Sequence, residues 1–329
     1  MTTAKNFWRA ALIAGGTLGA LAIYNKVTET MAGELITVLP GEEHRYPWKY
    51  GNVFYKVQGS SESRPLVFIH GFGPGASSYE WRKNVDALAA QYRVYAIDLP
   101  GFGLSDHPEI EYSAEIYLDL IHDFLKEVVE KPAVVVARDL SCAYVIAGAF
   151  RRPQLFEHLI LVSPPPAMLE EHVPGPVQAG CQFVLQTPVV GQFIYNLLVS
   201  RQAIRNYYDR QAYHNLLLLT DEQVEYVYTS AHQPASRYAM AAYLADQLSI
   251  DVREPLARLK VPAMALWGRE SHGGPFDPLA ASEAFRRVNA SIDVRIFDRS
   301  GAHVQEERAD AFNNLLREFA GAHVSQSGC

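Results

Sequence analysis

Short, almost wholly apolar runs recur along this chain, separated by stretches with helical spacing. That alternation constrains the fold more than any other feature. Residues 65–69, 92–97, 133–137 and 158–162 each read as a short strand, those at 65–69 and 133–137 buried on both faces. Residues 52–57 alternate with Tyr and Val and read as a strand ahead of them. Residues 77–91, 111–129 and 141–150 have the spacing of helices with one apolar face. A β–α–β–α–β–α–β order predicts a mostly parallel, doubly wound sheet, because parallel neighbours must be joined by crossovers.

The alternation stops near Pro164. Residues 164–252 lack short apolar strands and read as several helices with polar turns. The pattern resumes with strands at 261–267 and 292–297 and helices at 279–288 and 310–319. The expected organisation is therefore one α/β core, residues 45–163 and 253–322, with a helical cap, 164–252, inserted between two strands of one sheet. Residues 324–329 read as a frayed tail. No internal repeat or low-complexity run interrupts this plan.

With 329 residues and 49% hydrophobic content, the chain can bury a full core. A net charge of −7 and a pI near 5.9, with no Lys/Arg cluster, disfavour nucleic acid as a partner. Three widely spaced cysteines, Cys142, Cys181 and Cys329, form neither a disulfide framework nor a zinc pattern.

Residues 1–30 read as a hydrophobic anchor or signal segment. Lys5 and Arg9 precede 15 uncharged residues, 10–24, and Lys26 follows. A spanning helix needs ~20 residues, so the run is short. Three readings stand: an uncleaved anchor, a signal peptide cut after Ala20-Leu21-Ala22, and a helix lying on the protein or a membrane surface. Gly15, Gly16 and Gly19 suit close packing in lipid better than a helix in water. The expected localisation is membrane-associated through this segment, otherwise exported or cytoplasmic.

Four motifs can carry chemistry. His70-Gly71-Phe72-Gly73-Pro74-Gly75 follows the first apolar strand, where backbone N–H groups can be aimed into a crevice. Residues 98–106, Asp-Leu-Pro-Gly-Phe-Gly-Leu-Ser-Asp, read as an architectural turn. Ala137-Arg138-Asp139-Leu140-Ser141 lies at a strand-to-helix junction and has the pattern small–x–Asp–x–small. A sharp turn there exposes one side chain at its apex and needs small residues two before and two after. A lone Asp at such a position is ordinarily a helix cap. Gly301-Ala302-His303 follows the last strand, where a lone His is ordinarily a surface residue.

In this order and spacing the four motifs resemble those of the α/β-hydrolase family, over roughly residues 50–320. The resemblance implies the α/β-hydrolase fold, a mostly parallel central sheet flanked by helices with a helical cap insertion. The His-Gly-x-Gly-Pro-Gly turn is most similar to that of carbon–carbon bond hydrolases. Most members carry Gly-x-Ser-x-Gly, and here Asp139 stands at the serine position. The family's helix-ending proline lies about fourteen residues after the nucleophile, and Pro153 is fourteen after Asp139 but twelve after Ser141.

An Asp nucleophile resembles epoxide hydrolases and haloalkane dehalogenases. The resemblance implies that Asp139 attacks an sp³ carbon to give an alkyl-enzyme ester, which water activated by His303 then hydrolyses. It implies that the N–H groups of Phe72 and Leu140 form an oxyanion hole, and that no metal or organic cofactor is needed. The family's triad acid often sits in Trp-Gly-x-x-Asp. Here Trp267-Gly268-Arg269-Glu270-Ser271 puts Ser271 in that slot, and Ser163 holds the alternative one. Glu270 is the candidate for orienting His303, with Asp277 the runner-up.

Dehalogenases usually hold halide with Trp after the nucleophile and Asn or Glu after His-Gly, where Leu140 and Phe72 stand. Epoxide hydrolases use two cap tyrosines as acids, and this cap has eight tyrosines between Tyr195 and Tyr243. They also favour proline where Gly73 stands. An apolar cap, as at 216–219, suits a hydrophobic small-molecule partner. The expectation is an Asp-nucleophile hydrolase, epoxide hydrolase-like ahead of dehalogenase-like. The alternatives are a serine-hydrolase relative, esterase or C–C bond hydrolase-like, with an altered nucleophile, and a non-catalytic binding protein on the same scaffold.

Overall fold

The computed structural model describes residues 2–171, 175–271 and 277–322, with side chains from 16 to 321 within those ranges. The described residues form an eight-stranded sheet in the order β1-β2-β4-β3-β5-β6-β7-β8. β1 (Glu42–Trp48) and β2 (Gly51–Gln58) make a hairpin, and β2 runs antiparallel to β4 (Tyr92–Ile97). β3 (Arg64–Ile69), β5 (Ala133–Arg138), β6 (Phe156–Val162), β7 (Ala263–Gly268) and β8 (Asp293–Phe297) complete the sheet in parallel with β4. This is the mostly parallel sheet expected from the alternation, in the arrangement that the resemblance to α/β-hydrolases implied. β1 carries no apolar run and is the one strand without an expectation. Its Pro47 is tolerated because β1 is an edge strand.

The all-apolar strands are explained by two cores. Val67, Ile69, Val135, Ala137, Leu161 and Trp267 pack on one face of the sheet. Leu66, Phe68, Val134, Val136, Ile160 and Leu266 pack on the other. Successive residues point to opposite faces, so a strand covered on both sides must be apolar at every position.

The helices are α1 (Thr2–Ala32), α2 (Val85–Ala89), α3 (Ala114–Phe124), α4 (Ser141–Arg151), α5 (Pro176–Gln186), α6 (Val190–Leu198), α7 (Arg201–Tyr207), α8 (Asp221–Ala231), α9 (Ser236–Leu244), α10 (Arg253–Ala257), α11 (Pro278–Val288), α12 (Val304–Glu307) and α13 (Ala309–Ala322). The single helix expected over 77–91 is instead a 3₁₀ turn, Ser78–Trp81, followed by α2. Tertiary partners hold the break. Ser78 N donates to Asp98 Oδ1 at 2.6 Å, and Asn84 Nδ2 donates to Gln305 O and Asn313 Oδ1. The helix expected over 111–129 starts after Ser113 and closes on a π turn, Leu125–Val129. Between β6 and β7 the chain runs through α5 to α10.

α1 continues unbroken through Ala20-Leu21-Ala22. Among the described residues no helix is long and apolar enough to cross a membrane. The tail expected at 324–329 lies outside the described residues.

From β3 the chain goes first to β4 on one side and then to β5 on the other. The loops after β3 and β5 therefore part at the carboxyl ends of adjacent strands and leave a crevice. The His-Gly turn and Asp139 both sit there.

Candidate active site

Asp139 follows the last residue of β5 and precedes α4. Its φ is +52°, a left-handed conformation uncommon for a residue with a side chain. The strain is held in place: Asp139 N donates to Val162 O at 2.9 Å, and Cys142 N donates to Asp139 O at 3.0 Å. Ala137 and Ser141, two before and two after, are both fully buried. Ser141 begins α4 and its hydroxyl donates to His70 O at 2.6 Å. The apex side chain of the turn is thus Asp139, and Ser141 is a buried strut beneath it.

The Asp139 carboxylate lies on the backbone amides anticipated for it. Phe72 N donates to Oδ2 at 3.3 Å, and Leu140 N donates as well. Burial raises the pKa of Asp139, while Arg138 and these two amides favour the charged form.

The His-Gly turn that supplies Phe72 is fixed from below. His70 is buried, donates from Nδ1 to Gly71 O at 2.7 Å and accepts from Leu99 N at Nε2 at 2.9 Å. Burial pushes its pKa down to about 3, so it is a neutral structural tie to the loop after β4. In that loop Asp98 accepts from Ser78 N and Leu104 N, in keeping with an architectural role.

His303 lies between β8 and α12, within a ring of Tyr207, Tyr208 and Tyr213 whose centroids are 6.0, 5.6 and 5.9 Å away. Its Nδ1 meets Glu306 Oε1 at 2.7 Å and its Nε2 meets the Tyr207 hydroxyl at 3.1 Å. Glu306 in turn is held by Arg82 at 2.5 Å and by the Tyr213 hydroxyl at 2.6 Å. Burial alone would raise the pKa of Glu306, but Arg82, His303 and Tyr213 outweigh it and bring it to about 2. His303 falls to about 4, first through burial and then through the positive charge of Arg138, against the pull of Glu306. At neutral pH it is an uncharged base with Nδ1–H directed at Glu306 and a lone pair at Nε2.

The carboxylate on His303 is therefore Glu306. Glu270 accepts from Ser300 N at 3.0 Å, and Asp277 caps α11 through Leu279 N and Ala280 N. The reason lies in the chain path. Glu270 leaves β7 beside the loop after β8 and is used up holding that loop, whereas α12 turns Glu306 back onto His303. The available sequence signal was the His-x-x-Glu spacing, which brings two side chains together on a helical turn.

A buried ion pair was also unforeseen. Arg138 Nε donates to Glu80 Oε2 at 2.8 Å, and Glu80 Oε1 accepts from Gly71 N at 3.1 Å. The guanidinium passes over Gly71, where a Cβ would lie 2.6 Å from Cζ. Burial lifts Glu80 to about 7 despite the partner charge. Nothing in the sequence links positions 58 residues apart.

Two tyrosines of the segment between β6 and β7, one of them in the ring around His303, lie within the field of Asp139. Tyr207, at the end of α7, bonds Arg138 and senses the charge of Asp139. Burial raises its pKa first. Tyr243, on α9, stacks on Phe72 at 5.7 Å, and its pKa is raised first by Asp139 and then by burial. Phe72, Tyr79, Glu80, Arg138, Tyr207 and His303 are among the residues enclosing a cavity of about 30 Å³.

The family description "Alpha/beta hydrolase family" matches residues 66–315. Epoxide hydrolase 3 of Xenopus tropicalis is 25% identical over 279 residues, 80% of this chain and 73% of that protein. The 2-hydroxy-6-oxononadienedioate/2-hydroxy-6-oxononatrienedioate hydrolase of Paraburkholderia phymatum is 26% identical over 309 residues, 89% and 97% of the two chains. Among solved structures, a meta-cleavage product hydrolase from Pseudomonas fluorescens, a mutant form complexed with acetates, superposes with a TM-score of 0.67 at 26% identity. That match covers 85% of this chain and 97% of the other.

Proposed function

The chain belongs to the α/β-hydrolase family, and on that premise we propose that it hydrolyses a hydrophobic small molecule through a covalent ester on Asp139. The observation that carries this reading is the Asp139 carboxylate at the left-handed apex with Oδ2 against the Phe72 amide. Oδ2 is held by the Phe72 amide, and the other oxygen is the proposed nucleophile. It attacks an sp³ carbon of the substrate, the carbon–oxygen bond of the ester forms, and the bond to the leaving atom breaks. His303 Nε2 then takes a proton from water, and the resulting hydroxide adds to the ester carbonyl. The oxyanion that forms is stabilised by the Phe72 and Leu140 amides; its collapse breaks the ester carbon–oxygen bond, the leaving oxygen takes the proton back from His303, and Asp139 loses the remaining proton to solvent. Glu306 keeps the His303 tautomer that this step requires.

An epoxide is the substrate class the site suits best. Opening the ring puts negative charge on an oxygen that needs a proton, and Tyr207 and Tyr243 both lie within the field of Asp139. Residues 164–252 would serve as the cap that carries these acids. A relative named for epoxide hydrolysis supports the same reading. The second reading is a serine-type relative with an altered nucleophile, favoured by the carbon–carbon bond hydrolases among the relatives.

Intact mass spectrometry of a His303→Gln variant incubated with epoxides and haloalkanes tests the proposal. An alkyl adduct on Asp139 is the expected result, because ester formation is retained and its hydrolysis is blocked. Absence of any adduct across a broad panel, with esterase activity gained by Asp139→Ser, would establish the second reading instead.

A further inference from the structure

Residues 173–200 contain no Asp, Glu, Lys or Arg, in a chain of which 20% is charged. Such a stretch is ordinary inside a core. Here its described part, 175–200, holds α5 and α6, and much of it faces outward. Val177 is 74% exposed, Phe183 72%, Leu197 49% and Leu198 46%. Exposed apolar area of this extent, with no charge among it, is costly in water and marks a contact surface.

The hairpin is continuous with a second uncharged surface. α1 has no charged residue from 10 to 25, and it packs along α6. Tyr24 meets Phe193 edge-on at 5.2 Å, and Asn25 bonds both Val189 O and Asn196. The polar atoms at the junction thus satisfy one another. Outside it, Leu18 and Ile23 remain 46% and 67% exposed. Lys5 and Arg9 precede the apolar run of α1 in sequence, and Lys26, which follows it, is paired with Glu29 at 3.0 Å. An apolar face preceded in sequence by two basic residues matches acyl chains and anionic headgroups.

The position of this surface relates it to the site. α5 packs along α9, and α9 carries Tyr243, which stacks on Phe72 beside Asp139. The uncharged layer is therefore on the outer side of the helices that roof the crevice.

We propose that α1, α5 and α6 form one lipid-docking face that seats the chain on a bilayer surface, with the roof of the site turned to the lipid. Hydrophobic substrate would then reach Asp139 from the bilayer. This last clause rests on the function proposed above, whereas the docking itself does not.

The test uses the full chain and vesicles of phosphatidylcholine, alone or mixed with equal phosphatidylglycerol, without substrate. Wild type is expected in the vesicle pellet, more so with the anionic lipid. A Val177→Glu/Phe183→Glu variant is expected to partition at least about tenfold less, with unchanged circular dichroism and melting. An environment-sensitive fluorophore on exposed Cys181, in a Cys329→Ser background, is expected to shift to the blue only with vesicles; Cys142 is buried and does not compete. Wild type left in the supernatant overturns the proposal. So does equal pelleting of the variant without a fluorophore shift, which would assign binding to α1 alone. A dimer in vesicle-free sedimentation velocity that the variant dissolves, without vesicle binding, would make the face a contact between copies.

Discussion

His303 and Glu306 meet at 2.7 Å, Nδ1 to Oε1, three residues apart across the first turn of α12. Both side chains are buried, and the outer oxygen of Glu306 is clamped by Arg82 and Tyr213. In the function proposed, the pair serves as base and orienting carboxylate from one short segment, while the residue expected for that role, Glu270, holds the loop that carries them.

Substitution separates the two carboxylates. Glu306→Gln is expected to lower kcat/KM by about 10²–10⁴-fold, because the His303 tautomer is no longer enforced. Glu270→Gln is expected to lower it less than about threefold, since that carboxylate holds a backbone amide away from the reacting atoms. Steady-state kinetics on the two variants, with melting temperatures as the folding check, decides the assignment. Equal losses would return Glu270 to the site.

The depressed pKa of His303 fixes an activity profile and a stability profile. The base must be neutral, so kcat/KM should hold on acidification through pH 5 and fall with a limb near pH 4. In the unfolded chain this histidine titrates near 6.5. Between ~6.5 and ~4 the unfolded state binds the extra proton, so stability present above pH 6.5 is lost as pH falls, by up to about 3 kcal/mol. Urea melts of wild type and His303→Gln at pH 7 and pH 4.5 isolate that share. A difference that is the same at both pH values would contradict the burial argument.

Tyr207 and Tyr243 distinguish two substrate classes. Tyr207→Phe is expected to slow epoxide opening about 10- to 10²-fold, and the double Phe variant more than about 10³-fold. Neither should slow alkyl-halide turnover comparably, since halide departs without a proton. Pre-steady-state adduct formation on both substrate types gives the comparison, and equal slowing would assign the tyrosines to binding.

Gly71 is required by the guanidinium above it. Gly71→Ala sets a Cβ 2.6 Å from Arg138 Cζ, and Glu80 prevents Arg138 from retreating. A loss of about 1–3 kcal/mol in urea denaturation is expected. Arg138→Gln removes a positive charge that depresses His303, so its acid limb should move above pH 4. A limb that stays in place would mean that burial alone sets this pKa.

The parts legible in the sequence were those with local causes. Strands β3 to β7 were visible because two-sided burial demands nearly continuous apolar runs. Asp139 at the apex was visible because the sharp turn demands small residues at 137 and 141. What escaped has non-local causes. β1 has no apolar run, since an edge strand has little to bury. The break within 77–91 depends on Asp98 and Asn313. Arg138 and Glu80 pair across two strand connections.

The sequence by itself therefore determined the alternating α/β sheet and the elbow with an aspartate at its apex, because period, residue size and turn stereochemistry act over a few neighbours. Only the tertiary structure decided which carboxylate meets His303, which three of the eight tyrosines surround that histidine, and that an uncharged hairpin lies on the outside. Those outcomes depend on where distant segments meet, and a buried ion pair or an exposed apolar face exists only once that packing is set.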